Sequence, residues 1–177
     1  MSYETVRTFF ALLALAANAA TTVIVVAAVA KGTMRERVFG SIAGAELWLG
    51  FVVAATATLG SLYLSEIVHL VPCVFCWYQR IAMYPLVPVL AIGLFPYDPK
   101  VVRYASVFAG AGWLIALFQV LLVAGIIPEN VQPCVQGIPC SETHISLLGF
   151  LNIPGLSLLT FTLIGVLLFS AHKSELS

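Results

Sequence analysis

Charge is what this sequence has least of. Only 9% of its 177 residues are Asp, Glu, Lys or Arg, against about 25% in an average soluble domain. With 61% hydrophobic residues, that composition excludes a soluble globular protein. Eight basic and eight acidic residues cancel to a net charge of +0, so no basic stripe exists to neutralise phosphates, and nucleic acid is not expected as a partner. Histidine is scarce too. His69, His144 and His172 are the only three, and no two stand at ligand spacing, so they add no metal motif. Neither a Ser-His-Asp set nor a pair of catalytic carboxylates assembles from acids scattered among loops. Internal repeats and a Gly-rich dinucleotide fingerprint are absent, which removes soluble nicotinamide cofactors from the candidates. Cysteine numbers only four, but the four come as two pairs, and the chemistry is sought there.

The long apolar runs fall at about 9–30, 44–64, 76–95, 104–126 and 151–170, each near the roughly 20 residues that a spanning helix needs. They predict five transmembrane helices and one membrane domain over 1–177. Phe9 to Ala17, followed by Ala17-Asn18-Ala19, has the look of a secretory signal with a cleavage site. The run continues through Val23–Val26 to Ala30, however, which is long for a signal and suits a membrane span. Small residues in the first two spans, such as Ala16, Ala17, Ala54 and Ala55, allow close helix approach. Pro85 and Pro88 in the third span are tolerated in a bundle and predict a kink.

Orientation follows from the basic residues of the short loops. One side carries Lys31, Arg35, Arg37, Lys100, Arg103 and Lys173, the other Arg7 and Arg80. The richer side is expected to be cytoplasmic, which puts the C-terminus inside a cytoplasmic (cell) membrane. The N-terminus and the loops at 65–75 and 127–150 then lie outside. Cys73, Cys76, Cys134 and Cys140 all face the exterior in this arrangement, although no cysteine entered the charge comparison. Trp48, Tyr97 and Tyr104 mark the inner boundary, Tyr63, Trp77 and Tyr78 the outer one.

Cys73 and Cys76, in VPCVFCWYQR, stand at C-x-x-C spacing and run directly into the third span. That spacing suits a redox-active disulfide, with an inert bridge or half of a zinc site as the alternatives. A thiolate at a helix N-terminus is stabilised by the helix dipole and unpaired N–H groups, and Cys76 is the better placed of the two. Arg80 projects from the same face one turn deeper. An arginine at mid-span costs roughly 2.5–3.5 kcal/mol, less near the interface. It is expected either to stabilise a Cys76 thiolate and donate to the carbonyl of a lipid-soluble electron acceptor, or to anchor the helix at the headgroups. Cys134 and Cys140 are separated by five residues in a turn-rich loop with Pro133, Gly137 and Pro139, open to a protein partner. So short a loop gains only modest stability from a disulfide. Four outward thiolates on one zinc would have to stay reduced, so no metal is expected. Glu66 is either a proton relay or a solvated interfacial acid.

Together these residues resemble a known family. The run SEIVHLVPCVFCWYQRIAMYPL and the later CSETHISLLGFLNIPGLSLL are similar to the DsbB/BdbC disulfide bond formation proteins, membrane thiol:quinone oxidoreductases, and closest to the BdbC-like branch. The resemblance covers about residues 60–170 and rests on Pro72-Cys73-x-x-Cys76-x-x-Gln79-Arg80, Cys140-x-Glu142, Leu148-Gly149 and Pro154. It implies an all-α four-helix transmembrane bundle at 44–170, plus an extra N-terminal span at 9–30. It further implies a quinone, menaquinone or ubiquinone, held beside Cys76, Gln79 and Arg80. The implied partner is a thioredoxin-like extracytoplasmic thiol oxidase of the DsbA/BdbD kind. Cys134 would be attacked by that partner, Cys140 would exchange with Cys73, and Cys76 would pass the electrons to quinone. DsbA-type partners have potentials of about −120 mV, which calls for a strong terminal acceptor such as quinone.

The chain departs from the family pattern in three places. The first span has no counterpart in the four-span core. Cys134 and Cys140 are as close as in Gram-positive-type members, which leaves open which of them meets the partner. Phe118-Gln119 stands where many relatives carry a histidine, and Gln119 is a candidate quinone contact. Vitamin K epoxide reductases also combine a membrane C-x-x-C, a loop pair and quinone, but in the reverse sequence order. The remaining alternative is a non-enzymatic membrane scaffold with two structural disulfides.

Overall fold

The computed structural model describes residues 40–67, 69, 71–95, 97, 98, 100–127, 146, 147 and 151–175, together with residues 19 and 23. The expected first span, 9–30, otherwise lies outside the described residues, as do Cys134 and Cys140. Four long helices occupy the rest: α1 Glu46–Glu66, α2 Val74–Leu94, α3 Val101–Val123 and α4 Ile153–Glu175. They coincide within a few residues with the last four apolar runs, except that α4 continues to Glu175. A two-residue antiparallel ladder, β1 Ser146–Leu147 on β2 Leu151–Asn152, leads into α4. The apolar runs gave no sign of it.

Three of the four helices, α1, α3 and the Ile153–Lys173 part of α4, are long and apolar enough to cross a membrane. Helix α2 is long enough, but Gln79, Arg80, Pro85 and Pro88 lower its hydropathy. It nevertheless runs unbroken through both prolines.

Each helix packs against two neighbours, α1 on α2 and α4, and α3 on α2 and α4. The four therefore close into a ring around one core. Ala54 of α1, Leu86 and Leu90 of α2, Ala105 and Ala116 of α3, and Phe161, Ile164 and Leu168 of α4 are its most deeply buried members. Buried positions on α3 recur at 101, 105, 109, 112, 116, 119 and 122, the three-to-four spacing of one helix face. The opposite faces are apolar as well, with Leu59, Ile81, Ile92, Val107, Leu114 and Phe169 exposed. Apolar residues inside and out are the signature of a helix bundle with lipid as its solvent.

Close approach between helices depends on two glycines. A Cβ at Gly112 would overlap the ring of Phe161, and one at Gly93 would overlap the Val101 side chain. The turn from α2 into α3 is fixed by Asp98, whose Oδ1 accepts from Lys100 N at 3.0 Å while its own N–H donates to Gly93 O at 2.7 Å. Between α3 and α4, Trp113 Nε1 donates to Thr162 Oγ1 at 3.0 Å.

This antiparallel order gathers the C-terminal ends of α1 and α3 and the N-terminal ends of α2 and α4 at one end of the bundle. Trp77 and Tyr78 are exposed there, while Trp48, Tyr97 and Tyr104 are exposed at the other. The two aromatic groups expected at opposite interfaces do sit at opposite ends.

Candidate active site

Cys73 occupies the N-cap of α2, with φ −68° and ψ 170°. Its Sγ accepts a hydrogen bond from Cys76 N at 3.2 Å, the bond that a capping side chain makes to the third residue of a helix. Capping geometry thus folds the C-x-x-C back on itself. The two sulfurs lie 2.6 Å apart. Joining them needs no backbone rearrangement, and the pair is set up for thiol–disulfide chemistry.

A third donor reaches Cys73 from α3. Gln119 Nε2 lies 3.4 Å from Cys73 Sγ, and Gln119 Oε1 in turn accepts from Gln79 Nε2 at 2.7 Å. Both amides are buried, Gln79 at 7% exposure and Gln119 at 3%. The Cys73 thiol is lowered from its ordinary value of 9.0 to about 6, first by the Cys76 side chain donating to it, then by Cys76 N and Gln119, with burial acting the other way. Sequence reasoning took Cys76 as the better placed of the two for a thiolate at the helix N-terminus. The structure instead converges its donors on Cys73, because the N-cap, not the third residue, receives the free N–H groups.

Arg80 points the other way. Its Nε donates to Ser61 Oγ and its Nη2 to Ser61 O, both at 2.8 Å, and its guanidinium carbon stands 5.3 Å from the Trp77 ring centre. Among the described residues its hydrogen bonds go to α1, not to Cys76. Gln79 and Arg80, expected side by side at a quinone, are adjacent in sequence and turned about 100° apart on the helix. Gln79 meets α3 and Arg80 meets α1. Ser61 was not anticipated at all. Its signal is a hydroxyl within an apolar run, which can satisfy an arginine there.

The root of the second cysteine loop lies beside the first pair. Helix α3 ends at Gly125, φ 72°, with Ile126 N donating to Leu121 O at 3.0 Å and Ala124 N to Val120 O at 2.9 Å. This glycine-terminated cap turns the chain so that Ile127 packs against the buried Phe75 and Leu122, as Phe118 and Cys73 also do. Ile127, the last described residue before Cys134 and Cys140, therefore shares an apolar cluster with Cys73, although the two cysteines themselves lie outside the described residues. No group of three or more His, Cys, Asp or Glu forms a metal site among the described residues.

A protein-family model described as disulfide bond formation protein DsbB matches residues 44–171. The chain belongs to the DsbB family. Disulfide bond formation protein C of Bacillus subtilis (strain 168) is 44% identical over 133 residues, covering 73% of this chain and 95% of its own length. A probable disulfide formation protein C 2 of Bacillus cereus is 40% identical over 127 residues, 72% of this chain and 91% of that one. A probable disulfide formation protein of Metapseudomonas resinovorans is 40% identical over 128 residues, 72% of this chain and 89% of that one. No solved structure matches the chain. The DsbB match takes in α1, α2 and α3 whole and most of α4. Membership, with three helices able to cross a bilayer, makes this a membrane protein among the disulfide bond formation proteins.

Proposed function

We propose that the protein is a membrane thiol:quinone oxidoreductase that reoxidises a thioredoxin-like extracytoplasmic thiol oxidase. The observation that carries this reading is the C-x-x-C pair, sulfurs 2.6 Å apart, capping a helix at one end of a membrane bundle with a cation one turn below. The net reaction balances: partner dithiol plus quinone gives partner disulfide plus quinol, with two electrons and two protons transferred. In this reading the cysteine end of the bundle faces the exterior, and the 9–30 segment adds a fifth span to the four-helix core.

The partner thiolate attacks a disulfide between Cys134 and Cys140. The released thiolate then exchanges with Cys73, and Cys76 leaves as a thiolate. Quinone supplies the two-electron, two-proton acceptor. The residues present fit such a group. Arg80 has two donors fixed on Ser61, which holds the guanidinium in place and leaves its other N–H groups for a carbonyl oxygen. The exposed Trp77, its ring centre 5.3 Å from the guanidinium carbon, offers a flat apolar surface next to it. Gln79 serves the other side of the helix, towards Cys73.

The test is quinone reduction by the purified protein in detergent, supplied with a reduced thioredoxin-like partner and a soluble quinone analogue, with Cys76→Ser as control. Turnover lost in the control is the expected result. Absence of turnover with ubiquinone and menaquinone analogues alike, with intact unreactive disulfides, would sink the proposal in favour of a structural scaffold.

A further inference from the structure

Buried amides in an apolar bundle need partners, since an unsatisfied donor there costs more than its bond returns. Gln79 and Gln119 satisfy one another and still extend one N–H to a sulfur. The direction of that chain is chemically constrained. A thiolate accepts only, so Gln119 has to turn its NH2 group towards Cys73 and its oxygen away. That oxygen then needs a donor, and Gln79 Nε2 provides it at 2.7 Å. Without Gln79, the Gln119 amide is equally free to present its oxygen to the sulfur.

We propose that Gln119, oriented by Gln79, is a positioning residue that holds Cys73 as a thiolate. This rests on the thiol–disulfide reading above and assigns one of its steps. An incoming thiolate displaces Cys73 from a mixed disulfide. The new S–S bond forms, the old one breaks, and the electron pair departs on Cys73 Sγ, where the Gln119 N–H already points. A better stabilised leaving thiolate leaves faster. In this reading the Gln79–Gln119 pair serves the sulfur chemistry of Cys73.

The experiment follows the pH dependence of Cys73 alkylation in the reduced, detergent-purified protein, with the modified residue located by mass spectrometry. Gln119→Leu removes the donor, Gln119→Glu keeps the shape and loses the donor on ionising, and Gln79→Leu frees the amide to turn. Because hydrogen bonds to charged groups are strong, the first two variants should raise the midpoint by about one pH unit, roughly a tenfold loss of thiolate at low pH. Gln79→Leu should give a smaller shift of the same sign. Gln119→His, which restores an N–H, should move the midpoint back. In the unsubstituted protein the Gln119 side-chain amide resonance should titrate with the Cys73 midpoint, a readout that requires no variant to fold. A flat amide resonance, or an unmoved midpoint in Gln119→Leu, overturns the proposal. Neither readout involves quinone, so a failure of quinone turnover with a shifted midpoint would count against the function alone.

Discussion

Ser61→Ala takes one of two bonds from Arg80 and leaves the other. The Nε–Oγ bond of 2.8 Å disappears, whereas the bond from Nη2 goes to the Ser61 carbonyl oxygen and survives any side-chain change. Hydrogen bonds with a charged partner contribute about 1.5–3 kcal/mol, and half-buried Arg80 belongs at the lower end. Stacking on Trp77, at 5.3 Å, is retained. A loss of about 1.5 kcal/mol in holding the guanidinium corresponds to about a tenfold fall in kcat/KM. The fall should lie in KM for quinone, with kcat nearly unchanged, because a misplaced donor weakens binding of the ground and transition states alike. Steady-state reduction of a quinone analogue at varied quinone and saturating reduced partner measures both. In an Arg80→Met background no donor remains to bond Ser61, so Ser61→Ala should add little and the double-mutant cycle should return the same coupling of about 1.5 kcal/mol. Equal losses in both backgrounds would mean that Ser61 does not act through Arg80, and the reasoning fails.

Two further outcomes follow from packing and from titration. Gly112→Ala gains about 1 kcal/mol of helix propensity but drives a Cβ into Phe161, which is 1% exposed, at an overpacking cost of about 1–3 kcal/mol. The variant should be destabilised in SDS unfolding, and the sign should reverse in a Phe161→Leu background. Destabilisation of equal size in both would rule out the Phe161 overlap. The lowered Cys73 thiol, about 6 against 9.0, links stability to pH. The folded state favours the thiolate, so this contribution is complete above about pH 9, declines as the pH falls, and is gone below about pH 6. The thermal midpoint of the reduced protein should therefore rise across that window relative to Cys73→Ser. Parallel pH profiles for the two proteins would refute the link.

The apolar runs located four helices to within a few residues, and the largest early start has a local cause. Helix α3 begins at Val101 rather than 104 because Val101 and Val102 are buried and Asp98 organises the turn before them. Cys73 and Cys76 at a helix start were equally legible, since Pro72 and the C-x-x-C precede an apolar run. The rotation of each helix about its axis was not. When lipid-facing and core-facing residues are both apolar, only rare polar residues mark the phase. Gln79 and Gln119 are such markers, each on a buried stripe, and their pairing needs the relative depth of two helices, which no single run contains. Arg80 and Ser61 escaped for the same reason. The roles of Cys134 and Cys140 rest on the family motif, as both lie outside the described residues.

One residue both begins α2 and carries the chemistry, so the first turn of that helix feels every change in the bonding of Cys73 Sγ. A thiolate is a strong acceptor for Cys76 N–H, and a sulfur in a disulfide is a weak one. The helix start should be tightest when the pair is reduced and loosest while Cys73 is bonded to another sulfur. Exchange of the Cys76 amide proton with solvent then becomes a backbone gauge of redox state. Serine at position 73 silences the chemistry yet keeps the cap, whereas alanine removes both, and the difference between these two substitutions isolates the mechanical share of the residue from its chemical one.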